Sequence, residues 1–103
     1  MALRQFTLTM TGSAVQAVPP TDPGGIAHMG CKYVRIESDA SNAIVQYGTS
    51  AVTATSYAGT VLANTATINN AVIIGPFDTL AFNLEELWFI GTNTQKIRLT
   101  VIT

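Results

Sequence analysis

The fold class this sequence predicts is all-β and antiparallel, and three observations predict it. Wherever a hydrophobic period can be read it is two, the repeat of a half-buried strand, and not the 3.6 of a helix. Thr, Val and Ile recur throughout, and their branched side chains suit a pleated surface. Short apolar runs are separated by Gly, Pro, Ser and Asn, with no long amphipathic segment between them. Strands at this spacing make a β-sandwich, a jelly roll or a barrel.

The elements follow in chain order. Phe6, Leu8 and Met10 alternate with Gln5, Thr7, Thr9 and Thr11, a first strand with one buried face. Between Lys32 and Glu37, Val34 and Ile36 fall on one face and Tyr33, Arg35 and Glu37 on the other. Residues 43–47 form a short strand stopped by Gly48, and residues 72–74 run into the Gly75-Pro76 breaker. Leu80, Phe82 and Leu84 alternate with Thr79, Ala81 and Asn83, and residues 84–87 can make one turn of helix. Residues 87–90 and 96–102 are two further strands. Gly91-Thr92-Asn93-Thr94 has the length and chemistry to join them as a hairpin. Ser38-Asp39-Ala40-Ser41-Asn42 is a second turn. The Ala- and Thr-rich residues 49–70 have room for weak strands at 51–56 and 60–63.

One segment stands outside this ladder. Residues 19–30 contain Pro19, Pro20, Pro23, Gly24, Gly25, Ile26, His28 and Met29. The prolines remove backbone donors and the glycines widen the accessible conformations, so a long loop or arm is expected there. Loops of about a dozen residues often carry function. The whole chain, 1–103, then reads as a single sandwich domain with this Pro/Gly-rich arm.

Composition bounds what such a domain can do. Of 103 residues, 48% are hydrophobic and only 11% charged, well below the roughly 25% of an ordinary domain. A small domain exposes much of its surface, so this one must present neutral polar groups or be covered by other subunits. The net charge of −1 and the scattered positions of Arg4, Lys32, Arg35, Lys96 and Arg98 argue against binding to nucleic acid, which needs clustered cations. Cys31 is the sole cysteine, so no internal disulfide is expected. The opening residues lack the apolar core of a signal peptide, and no run approaches the roughly 20 apolar residues of a membrane helix. Synthesis in a cytoplasm and no membrane partner are the expectations.

Catalytic chemistry finds little to stand on. His28 and Cys31 have the H-x-x-C spacing of two zinc ligands, but a tetrahedral site needs more donors than the chain can add. Three copies of His28 around a threefold axis would be another route to a site. No Gly-x-Ser-x-Gly elbow, phosphate-cradling loop or dinucleotide fingerprint is present. Glu85 and Glu86 are adjacent, and neighbouring strand residues point to opposite faces. The chain is expected not to be an enzyme and to hold no cofactor or metal.

The aromatic residues suggest surfaces instead. Trp88 and Ile90 face opposite to Leu87 and Phe89, so one pair is core and the other meets solvent or a partner. Trp88, Ile90, Val72 and Ile74 are the candidates for a subunit interface. Alternatively, Trp88, Tyr47 and Tyr57 clustered on one accessible face would recognise a glycan.

Three stretches carry a resemblance: residues 31–36 (CKYVRI), 43–49 (AIVQYGT), and 84–92, where Leu84 precedes Leu87-Trp88-Phe89-Ile90-Gly91-Thr92 before a polar turn and a last strand. In these the chain resembles the small jelly-roll-like virion proteins of bacteriophages, the head decoration, cement and minor structural proteins. The resemblance implies a β-sandwich that forms a homotrimer and binds a capsid or tail surface, with the major capsid protein of the virion as the expected partner. Residues 19–30 would be the capsid-contact arm. The alternative within the same setting is a fibre, spike or receptor-binding module.

Overall fold

The computed structural model describes residues 3–17, 30–39, 44–65, 67–79 and 82–103. Ten strands run through them: β1 (Leu3–Thr9), β2 (Val15–Gln16), β3 (Gly30–Cys31), β4 (Tyr33–Ser38), β5 (Val45–Gly48), β6 (Gly59–Val61), β7 (Ala71–Ile74), β8 (Phe82–Asn83), β9 (Trp88–Ile90) and β10 (Lys96–Ile102). Sheet A has the order β1-β10-β4-β7 and sheet B the order β2-β9-β5-β6. A two-stranded ribbon pairs β3 with β8. Every paired strand in both sheets is antiparallel.

The order in which the chain visits the sheets defines the architecture. Without the short ribbon it runs A, B, A, B, B, A, B, A, and only β5 and β6 are consecutive neighbours. Two four-stranded antiparallel sheets joined by such crossings make a jelly-roll sandwich. The radius of gyration is 12.9 Å, close to the roughly 13 Å of a compact 100-residue domain.

The alternation read from the sequence sets the core. Leu8 and Met10 from the β1 segment, Val34 and Ile36 from β4, and Ile97, Leu99 and Val101 from β10 are all buried. Val45, Val61 and Phe89 close the core from sheet B, with Leu84 and Leu87 beside them. Phe89 is the largest fully buried side chain. Residues 84–86 form a 3-10 turn whose start is capped by Asn83, its side-chain oxygen accepting from the Glu85 amide.

Some expectations are corrected by this topology. Residues 91–94 do not close a hairpin: β9 lies in sheet B between β2 and β5, and β10 lies in sheet A between β1 and β4. The segment carries the chain across the sandwich, and Thr94 adopts φ +71° on the way. Residues 51–56 form turns and not a strand, held by the Thr53 hydroxyl accepting from the Ser56 amide. The real hairpin is β5–β6, whose loop tucks Val52 inward. The strand at residues 72–74 does stop at Gly75, where φ is +99° and a Cβ would lie 2.6 Å from the Lys32 carbonyl oxygen.

Candidate interaction faces

A sandwich buries two inner faces and leaves two outer faces and the sheet edges for partners. On sheet A the cross-strand register lines up the outward side chains in rows. Leu3, Ile102 and Tyr33 make one row, and Ile73 stands beside them opposite Arg35. Leu3 is 69% exposed and Ile73 53%, while Ile102 and Tyr33 are half-buried. Phe77, whose amide donates to the Lys32 carbonyl, is an exposed residue at the same end. Leu3, Ile102 and Tyr33 therefore make an apolar row across three strands, with Ile73 one row further in on β7.

The other end of the same face is polar. Arg98 and Asp39 form an ion pair at 2.7 Å, and Arg35 and Glu37 another at 2.7 Å. Gln5, Thr7, Glu37, Arg98 and Thr100 line a depression of about 500 Å³ there. The outer face of sheet A thus runs from an apolar row, Leu3-Ile102-Tyr33, to charged and paired rows, with Ile73 beside Arg35 in the row between.

Sheet B presents a different outer face. Trp88 stands opposite Gln16 on one neighbour and Gly48 on the other, and Ile90 stands opposite Gln46. Ile44, 53% exposed, joins Ile90, Gln46 and Ala54 around a shallow, mostly apolar depression of about 500 Å³. Gln16 is held in place by its side-chain amide, which donates to the Glu85 carbonyl at 2.9 Å.

The residues nominated for a subunit interface fall on two sides of the molecule. Trp88 and Ile90 are half-buried on the outer face of sheet B, with Leu87 and Phe89 turned into the core. Val72 and Ile74 are half-buried against the core, opposite Ile36 and Val34, and Ile73 is the residue of β7 that turns outward. All three residues of this run are apolar, so only the register with β4 reveals which one is outside. Tyr47 packs against the core with its ring over Gly59, on the opposite face of sheet B from Trp88. Tyr57 is exposed on the β5–β6 loop. These three aromatics do not form one stacking platform.

The arm residues Pro19, Pro20, Pro23, Gly24, Gly25, Ile26, His28 and Met29 lie outside the described residues. Cys31 is fully buried, and its thiol donates to the Phe82 carbonyl at 3.2 Å. Burial pushes that thiol up to about 11, far from the thiolate a metal or nucleophile role requires. Among the described residues no three His, Cys, Asp or Glu side chains converge as a metal site, and no helix is long and apolar enough to cross a membrane.

The chain matches no family model, no curated protein and no solved structure.

Proposed function

We propose that this chain is a virion structural protein, in its most specific form a decoration or cement protein that coats an assembled bacteriophage head. The observation that carries the reading is the apolar end of sheet A's outer face: Leu3, Ile73 and Phe77 exposed beside Tyr33 and Ile102. Exposed apolar residues along one end of this face, on a chain with so little charge, favour coverage by a protein partner. The jelly-roll topology supports the same reading by analogy, since that architecture recurs in capsid proteins, although it also serves lectins and enzymes. The partners are then the major capsid protein and further copies of the chain, a trimer by the resemblance, and the location is the outer surface of the virion.

The test is co-sedimentation with assembled heads of the virus whose genome encodes the chain. The wild-type protein is expected to pellet with heads at saturating stoichiometry. Leu3→Asp combined with Ile73→Asp, both outward-facing, should keep the circular dichroism spectrum and lose at least about tenfold in head affinity. Wild-type protein that stays in the supernatant removes the proposal.

A further inference from the structure

The β1 edge of sheet A offers a different kind of contact. β1 has seven residues, is paired among the described residues on one side only, by β10, and carries Arg4 as its single charge. Open edges are usually blunted by Pro, Lys, a bulge or shortness. Over Leu3–Thr9 there is no Pro, no Lys and no break in the register with β10.

The hydrogen-bond pattern shows which backbone groups are open. The Met10 amide donates to the Gln95 carbonyl at 2.7 Å, and the Met10 carbonyl accepts from the Thr94 amide at 2.8 Å. Direction alternates along an antiparallel ladder. Leu8, Phe6 and Arg4 therefore turn their backbone groups toward β10, and Leu3, Gln5, Thr7 and Thr9 turn theirs outward. Their side chains stand on the outer face, with Phe6 and Leu8 on the core side.

We infer that this edge pairs with the same edge of a second copy about a twofold axis at Phe6. The sequence is self-complementary in that register. Gln5 of one copy meets Thr7 of the other, both with outward backbone groups, and Leu3 meets Thr9. Phe6 meets Phe6 at a non-hydrogen-bonded position, where cross-strand side chains come closest. Each half-buried ring then covers the other at the rim of the core. Arg4 falls opposite Leu8 and meets no like charge. Sliding the pair by two residues leaves two residues of each strand unpaired, and one such slide further in the Leu3 direction sets Arg4 against Arg4. The centred register alone uses the whole strand.

The product is an eight-stranded sheet running through both copies, with their apolar ends at opposite corners. A twofold contact at an edge can coexist with a threefold one through the faces, since the two close together as a dihedral hexamer. The pairing stands without the virion reading, because head binding was assigned to the outer face and self-pairing to the edge.

The experiment is amide hydrogen exchange on the full chain across a dilution series, together with sedimentation equilibrium. At high concentration the Gln5 and Thr7 amides should be protected, and on dilution to monomer they should lose at least about tenfold of that protection while Phe6 and Leu8 stay slow. Two variants then test the register. Gln5→Lys with Thr7→Lys puts Lys against Lys twice across the axis and should raise the dimer Kd about tenfold. Gln5→Glu with Thr7→Lys puts Glu against Lys at the same two places and should restore wild-type association. A chain that is monomeric at every concentration overturns the inference. So does an oligomer whose Gln5 and Thr7 amides exchange freely, or one that both variants leave unchanged.

Discussion

The strands of sheet A have seven, seven, six and four residues from β1 to β7, whereas those of sheet B have two, three, four and three from β2 to β6. Sheet A is held by long ladders in which each strand buries a regular stripe. Sheet B has little ladder to rely on. It depends on close tertiary fits: Phe89 fully buried at its centre, the Tyr47 ring over Gly59, and Gly91 seated against Val45 and Met10. Backbone pairing stabilises one sheet and side-chain fit the other, so the two should fail under different substitutions.

The largest effect tests whether sheet B is a full partner in the core. Phe89→Ala should destabilise by about 3–5 kcal/mol, at least as much as Leu99→Ala in the long sheet at about 2–5 kcal/mol. Urea denaturation followed by tryptophan fluorescence would compare them. A Phe89→Ala cost well under that of Leu99→Ala would make sheet B peripheral. Gly91→Ala probes the close fit directly, because the new Cβ would lie 2.9 Å from Val45 Cγ2 and 3.1 Å from Met10 Cγ. Overpacking should cost about 1–3 kcal/mol by the same measurement, while alanine at exposed Gly12 meets no atom within 4 Å and is limited only by its φ of +85°.

The β3–β8 ribbon beside the sheets adds a pH dependence. The folded Cys31 thiol is raised from 9.0 to about 11 by burial. Above pH 9 the unfolded chain loses this proton and the folded chain does not, so the cysteine's contribution is intact below pH 9 and falls as pH rises toward about 11. Comparison with Cys31→Ala in urea melts between pH 7 and 11 isolates that slope. A wild-type slope no steeper than the variant's would contradict the buried thiol.

Smaller effects concern the crossing and the surface. Thr94 is β-branched and sits at φ +71°, so Thr94→Gly should relieve strain and stabilise by about 1 kcal/mol. A loss of stability would mean that the residue is not strained. Removing the exposed Arg98–Asp39 pair with Arg98→Ala should cost under about 1 kcal/mol, and less still in high salt. Thermal melts at two ionic strengths measure this.

The same contrast explains what could be read beforehand. β4 and β10 alternate cleanly, so Val34, Ile36, Ile97, Leu99 and Val101 were legible as core before any coordinates. β2 and β3 have two residues each, too few for a period. The run at 71–74 is apolar on both faces, so its outward residue, Ile73, is decided by a partner more than thirty residues earlier in the chain. Residues 91–94 have turn chemistry that suits a hairpin and a crossing equally, and only nonlocal pairing separates the two. The apolar end of sheet A escaped for the same reason: Leu3, Tyr33, Ile73 and Ile102 are far apart in sequence and become neighbours through register alone.

The position of β10 has a further consequence in time. It lies between β1 and β4, and β9 likewise lies between β2 and β5. Neither sheet can therefore assemble until the ribosome has released the last quarter of the chain. Before that moment, among the strands described, only the β5–β6 and β4–β7 pairs have both partners. Leu3 must then find Ile102, a loop closure that makes folding slow compared with locally paired domains. During that wait the apolar stripes of β1 and β4 stand uncovered, the kind of transiently exposed surface through which slowly folding chains aggregate.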